Sequence, residues 1–236
     1  MRVVVTRPQR SALRTAGRLE GLGHQPVLLP LAKAQHHPQI AEEALKEPHS
    51  AVAVTSGEAL RVLVSLGDQL AAHRDEILYA VGDATAKAAA DAGFRNVRKG
   101  PGTGAGLAEV AAGDEAKPRA PLLYLAGKPR SPKFEDGLLA KELPFVTAEV
   151  YEMIPITYDT EGTHRLLCDP PADAVLLYSR ETAKLFFDLV APIAEALPRL
   201  RILCLSGTIS EAVPHEFHRN IKIAVQPDEE GILALL

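Results

Sequence analysis

The chain has 236 residues, of which 47 % are apolar and 5 % aromatic, with no tryptophan. That length and composition suit two small α/β cores made of Ala, Leu and Val, with helices packed on parallel strands. The formal net charge is −4 and no basic block stands out, which argues against nucleic acid and against an anionic membrane as partners.

The start, MRVVVTRPQRSALR, runs from a short apolar stretch into a polar helical pattern, without the charged, apolar and small-residue order of a signal peptide. Strand-like runs follow at RVVVT (2–6), QPVLL (25–29), AVAVT (51–55), ILYAV (77–81) and NVRK (96–99), then at PLLYLA (121–126), VTAEVY (146–151), DAVLLY (173–178), RILCLS (201–206) and IKIAV (221–225). Between most of them the apolar spacing is helical, as in ALRTAGRLEGLG (12–23) and ATAKAAADAGF (84–94). Strands alternating with helices predict parallel sheets of right-handed βαβ units. Ten strands predict two five-stranded sheets. No apolar run approaches the roughly 20 residues of a membrane span. Cys168 and Cys204 are too few for a disulfide framework and lack metal-ligand spacing. The reading is a soluble, cytoplasmic protein.

The two halves repeat. AVAVTSGEALRVLVSL (51–66) matches AVLLYSRETAKLFFDL (174–189), each a strand, a Ser and a helix. LYAVGDATAKAA (78–89) matches ILCLSGTISEAV (202–213), FRNVRK (94–99) matches HRNIKI (218–223), and GLAEV (106–110) matches GILAL (231–235). More weakly, 5–23 matches 126–144. The chain therefore reads as a two-strand unit, a three-strand unit, and both again. Consecutive lobes and one lobe inserted into the other both fit. The Pro-bearing joints at 32–40 and 152–164 favour insertion through a two-chain hinge.

In open parallel sheets, ligands bind beyond the carboxyl ends of the strands. The turns there are Thr6-Arg7-Pro8, Thr55-Ser56-Gly57, Gly82-Asp83-Ala84-Thr85, Gly127-Lys128, Ser179-Arg180 and Ser206-Gly207-Thr208. Ser, Thr and Gly at such turns cap helices, and they also leave backbone N–H groups facing an anion. Arg7 and Lys128 hold equivalent repeat positions, as carboxylate partners or as solvated charges. Two such sets of turns facing a cleft suit a large ligand with many carboxylates. Tyr151 closes VTAEVY, where a phenol either donates a proton or packs its ring.

No GxGxxG follows a strand and no GxxxxGK[ST] is present, so nucleotide binding has no motif behind it. The first strand ends in Thr-Arg-Pro without an acidic cluster, which argues against a receiver domain. The Gly-rich GPGTGAG (100–106) reads as a flexible turn. His36-His37 is an adjacent pair whose side chains diverge on an extended chain, and it reads as exposed. Cys204 lies in an apolar strand and reads as a packed thiol. No metal site is predicted.

Several segments together resemble the uroporphyrinogen-III synthase family. VVVTRP with LEGLGHQPVLLPL, AVAVTSGEAL, YAVGDATAKAAADAGF, LLYLAGKPR…LLAKELPFVTAEVYEMIP, DAVLLYSRETAKLFFDL and AVQPDEEGILALL carry the likeness in order along essentially the whole chain. Ile209 stands where a threonine is common in that family, and Pro144 where a glycine is usual. The resemblance implies two flavodoxin-like lobes, one (38–153) inserted into the other (1–33 and 160–236) through hinge segments near 33–38 and 153–160. It implies cyclisation of hydroxymethylbilane to uroporphyrinogen III with inversion of ring D and loss of water, without a cofactor, by a monomer. Transient contact with the upstream hydroxymethylbilane synthase stays open. Tyr151 and Thr85 fall on the family's functional Tyr and Thr, and Ser56 and Ser179 on its paired serines. Substrate contacts are expected from Arg7, Thr55, Ser56, Gly82, Lys128, Ser179, Arg180, Ser206, Gly207 and Thr208. The rival reading is a cytoplasmic two-lobed binding protein that returns its ligand unchanged. A receiver-like pair and a nucleotide-sugar transferase fit less well.

Overall fold

The computed structural model describes residues 1–113 and 120–236. In chain order it runs β1 (Arg2–Val5), α1 (Gln9–Gly21), β2 (Gln25–Leu28), β3 (Ala32–His36), α2 (Pro38–Lys46), β4 (Val52–Val54), α3 (Gly57–Ser65), β5 (Ile77–Ala80), α4 (Asp83–Asp91), β6 (Asn96–Lys99) and α5 (Gly104–Gly113). It continues with β7 (Leu122–Lys128), α6 (Lys133–Ala140), β8 (Phe145–Pro155), α7 (Thr160–Cys168), β9 (Ala174–Leu177), α8 (Arg180–Val190), β10 (Arg201–Cys204), α9 (Gly207–Ser210), β11 (Ile221–Ile223) and α10 (Glu229–Leu233). The chain divides into two compact units, Met1–Lys33 with Ile154–Leu236, and Ala34–Met153. Among the described residues, no helix is long and apolar enough to cross a membrane.

The first unit holds a five-stranded sheet in the order β11-β10-β9-β1-β2, with every neighbouring pair parallel. Helices cover both faces, so the strands are apolar on both sides. Val4 faces one core with Val175, Phe186 and Ile202. Val3 and Val5 face the other with Leu19, Leu176 and Leu203. Val3, Val4 and Val5 are all fully buried. Each such side chain contributes roughly 1.5–3 kcal/mol by leaving water.

The second unit holds a six-stranded sheet, β3-β8-β7-β4-β5-β6. The sequence predicted five strands here. The sixth is β3, AKAQH, which lay in the segment read as a hinge. It alternates between half-buried and exposed positions and has no apolar run, so an edge strand was hidden in a polar stretch. The His37 amide donates to the Val150 carbonyl at 2.8 Å at its end. Val52 and Val54 point into one core and Ala51 and Ala53 into the other.

The repeat is visible in the strand order. Reading β7 and β8 against β1 and β2, and β4, β5 and β6 against β9, β10 and β11, gives the same five-strand arrangement twice. In both, the order reverses at one place, between β1 and β9 and between β7 and β4. Such a switch point separates the two turns that follow it and opens a crevice.

Candidate active site

At the switch point of the second unit, a pocket of about 340 Å³ opens beyond β4, β5 and β7. Thr55, Ser56, Val81, Gly127, Arg130 and Tyr151 are among its walls. Each side chain is placed by the element that precedes it. Thr55 and Ser56 leave the end of β4, and Ser56 caps α3 by accepting from the Glu58 amide at 3.1 Å. The Thr55 hydroxyl is hydrogen-bonded to the Tyr124 phenol at 2.7 Å. Tyr124 also meets Phe134 edge to face at 4.8 Å between ring centroids. Burial pushes the Tyr124 phenol up from its ordinary value.

Tyr151 is buried and its ring lies against Gly127. A β-carbon at Gly127 would overlap the Tyr151 ring and hydroxyl, so glycine is needed there for space. Burial raises the Tyr151 phenol above its ordinary value, and a hydrogen bond with Ser56 partly offsets the rise. The phenol therefore stays protonated through the physiological range and can act as a donor into the pocket.

Arg130 follows β7 and folds back onto α6 and β8. Its Nε and one terminal nitrogen grip Glu135 at 3.0 and 3.1 Å, and the other nitrogen reaches Glu149 at 2.6 Å. Thr147 donates to the same Glu135 carboxylate at 2.9 Å. Arg130 lowers Glu135 below the usual carboxylate range, and both acids raise the guanidinium. Three of its five N–H groups are used in this way, which fixes its orientation and leaves two for a ligand.

The pocket thus joins Tyr151, Thr55 and Ser56 of the predicted residues. Gly82 packs its backbone on that of Gly102, a pocket residue with a left-handed φ of 95°. Thr85 is buried in the first turn of α4 and does not line the pocket. Lys128 is exposed at the end of β7. Arg130, Tyr124, Glu135 and Thr147 were not singled out from sequence. The signal for Arg130 was present in GKPR, but the neighbouring Lys128 was read instead.

The first unit treats its switch point differently. Arg7 lies 4.2 Å from the Tyr178 ring and pairs with Glu229 of α10. Thr15 and Tyr178 donate to the same carboxylate at 2.7 and 3.1 Å. By the repeat that sets Gly106 against Gly231, Glu229 corresponds to Gly104, a pocket residue of the second unit. A carboxylate thus occupies one switch point where a glycine stands at the other. The remaining predicted residues of this unit lie at helix starts. Ser179 caps α8 by accepting from the Thr182 amide at 3.1 Å, Arg180 reaches Glu211 at 3.6 Å, and Ser206 shares a hydrogen bond with Thr208 at 2.9 Å beside the exposed Gly207.

No group of three metal-ligating side chains stands in the pocket among the described residues. The group with ligand spacing, His49, His73 and Glu76, lies at the opposite ends of β4 and β5. His36 pairs with Glu58 at 2.9 Å. Cys204 is fully buried and its thiol is pushed up to about 12 by burial, which excludes it as a nucleophile at neutral pH.

Two doubly wound sheets, one with a polar pocket and a buried phenol at its switch point, place the chain among two-unit α/β proteins with a small-molecule pocket. Residues 14–234 match a family model described as "Uroporphyrinogen-III synthase HemD". The chain therefore belongs to the uroporphyrinogen-III synthase family, cyclising lyases of tetrapyrrole biosynthesis. Its fold is that of a uroporphyrinogen-III synthetase crystal structure from Helicobacter pylori, with 21 % identity, TM-score 0.68, and coverage of 100 % of this chain and 98 % of that one. It is also that of a mutant uroporphyrinogen III synthase from Thermus thermophilus, with 21 % identity, TM-score 0.58, and coverage of 99 % of this chain and 96 % of that one. No curated protein matches.

Proposed function

We propose that the pocket beyond β4, β5 and β7 is where this chain turns hydroxymethylbilane into uroporphyrinogen III, with Tyr151 as the proton donor. The observation that carries this is the Tyr151 phenol, buried against Gly127, hydrogen-bonded with Ser56 and exposed to the pocket through its wall position. The reaction begins when the hydroxymethyl C–O bond of ring A breaks and the pyrrole nitrogen supplies its electron pair, giving an azafulvene cation. A departing hydroxide is a far stronger base than a phenolate, since water has a pKa of about 15.7. Proton transfer from Tyr151 to the leaving oxygen is therefore downhill as the bond breaks. The substituted carbon of ring D then attacks the cation and forms a spiro intermediate. The bond from that ring D carbon to the ring C methylene then breaks, the free α-carbon of ring D bonds to the methylene instead, and the proton that this carbon loses returns to the Tyr151 phenolate, leaving ring D inverted.

Without control of conformation, the chain closes to the uninverted isomer. The protein must therefore hold one folded form of the substrate. Arg130, anchored by Glu135 and Glu149, presents its two remaining N–H groups to one acetate or propionate. The backbone amides near Ser56 and Gly104, at helix starts, suit others. Lys128 and the exposed turns at Ser179-Arg180 and Ser206-Gly207-Thr208 stay in the proposal as carboxylate contacts. Arg7 is committed to Glu229 and Thr15 within its own unit, so it enters only if that carboxylate is displaced. Thr85 is given no chemical step. The setting proposed is a cytoplasmic monomer without added cofactor.

The test is Tyr151→Phe, assayed for kcat and KM with fresh hydroxymethylbilane. Loss of a proton donor lowers kcat by about 10²–10⁴-fold and leaves KM within a few fold. An unchanged kcat would remove Tyr151 from this role.

A further inference from the structure

Away from the pocket, three side chains converge at the amino ends of β4 and β5. His49 precedes β4, Glu76 immediately precedes β5, and His73 ends the 3-10 turn Gly67–His73. The donor atoms of the three all lie within 4.8 Å of one another. His49 Nε2 is 3.0 Å from one Glu76 oxygen, and His73 Nδ1 is 2.8 Å from the other. The two rings stack at 6.1 Å with 26° between their planes. The His49, His73 and Glu76 side chains are 8 %, 20 % and 31 % exposed, so the cluster is half-buried and reachable by an ion from solvent.

We propose that His49, His73 and Glu76 form a zinc site that fastens the 3-10 turn to the amino end of the second unit's sheet. The tautomer of His49 points the same way. Its Nδ1 lies 2.7 Å from the Glu47 carbonyl, which can only accept, so Nδ1 carries a hydrogen. Its Nε2 is thereby turned toward the Glu76 carboxylate, 3.0 Å away. Metal-bound histidines carry this same arrangement, with the second ring nitrogen donating to a carbonyl that sets ring orientation.

The donor set points to a transition metal. Two imidazoles and one carboxylate suit zinc, whereas magnesium and calcium require oxygen ligands. Zinc binds nitrogen and carboxylate oxygen at about 2.0–2.2 Å, which sets tetrahedral donors roughly 3.4 Å apart, so the two His–Glu pairs open slightly to admit the ion. The fourth position is open. A pocket of about 190 Å³ between Glu42, Leu45, Lys46, Leu66, Gln69 and His73 borders the site and admits water or an exchangeable ligand. The backbone around the ligands is already tied down. The Ser50 amide donates to the Pro121 carbonyl at 3.0 Å, and the Glu76 amide to the His73 carbonyl at 3.2 Å. The site faces away from the carboxyl ends of β4 and β5, so the ion acts on stability and leaves the chemistry untouched. The inference does not rest on the pocket's assigned reaction.

The experiment titrates tag-free, chelator-treated protein with zinc chloride, followed by calorimetry and by thermal melting, and repeats the titration with cobalt(II). The expected result is one zinc per chain, a raised Tm, and the strong visible absorption of four-coordinate cobalt. His73→Gln and Glu76→Gln each weaken zinc binding at least about tenfold, since loss of a mere outer partner already costs 10–100-fold. Both are partly exposed and their circular dichroism reports that they fold. His215→Ala/His218→Ala, at the other close histidine pair, leaves binding unchanged. Magnesium chloride leaves Tm unchanged. Zinc that raises neither stoichiometry nor Tm, or that binds His73→Gln as tightly as the parent protein, overturns the site. The cluster is then a proton-bridged pair of histidines on Glu76.

Discussion

Gly127→Ala is expected to disable the pocket while leaving the rest of the second unit folded. The β-carbon built on Gly127 falls inside the Tyr151 ring, touching its Cζ, Cε2 and hydroxyl. Both residues are on adjacent parallel strands, in register after the irregularity between Ala126 and Gly127, so neither backbone can withdraw freely. The ring must swing away or the strands must part. Overpacking of this size costs roughly 1–3 kcal/mol. Loss of the bond with Ser56 adds about 1 kcal/mol. A domain of this size loses about 2–4 °C in Tm per kcal/mol. Displacing the donor should also lower turnover by about 10²–10⁴-fold. The assay is a double-mutant cycle with Tyr151→Ala, read by urea denaturation and by initial rate. With the ring gone, alanine at 127 meets open space and its cost falls below about 0.5 kcal/mol. An equal cost of Gly127→Ala in both backgrounds would refute the steric argument.

Arg130→Ala should raise KM for hydroxymethylbilane by about tenfold and reduce stability by roughly 1 kcal/mol, since the ion pairs it breaks are partly solvated. An unchanged KM in steady-state kinetics would exclude Arg130 as a substrate contact. Stability should hold up to about pH 10 and fall above it. Burial raises the phenols of Tyr124, Tyr151 and Tyr178 in the folded state, so the unfolded chain releases their protons first and gains from each further rise in pH. Spectroscopic titration showing these phenols ionising near 10 with native circular dichroism would contradict this. Cys204 should resist iodoacetamide at about pH 8 in the folded protein and react once unfolded, as mass mapping would show.

The central strands were legible because they are buried on both faces, which writes short continuous apolar runs into the sequence, and the exposed edge strand β6, NVRK, was legible through its repeat with HRNIKI. β3 was not, because AKAQH is a half-exposed edge between Pro30 and Pro38 and carries no such run. At the site, strand ends pointed to Thr55, Ser56 and Tyr151. They did not distinguish Lys128 from Arg130. That choice depends on Glu135 and Glu149, which arrive from a helix and a neighbouring strand. Tyr124 lies within PLLYLA and read as strand core, because nothing local reveals the Thr55 hydroxyl 69 residues away. His49, His73 and Glu76 share no motif spacing, and only the sheet brings the segments before β4 and β5 side by side.

The decisive measurement is the ratio of uroporphyrin isomers formed when the purified, metal-free protein meets fresh hydroxymethylbilane and the product is oxidised and separated. The type III isomer should predominate. The type I isomer alone, matching a control without protein and produced by demonstrably folded material, would contradict the proposed reaction.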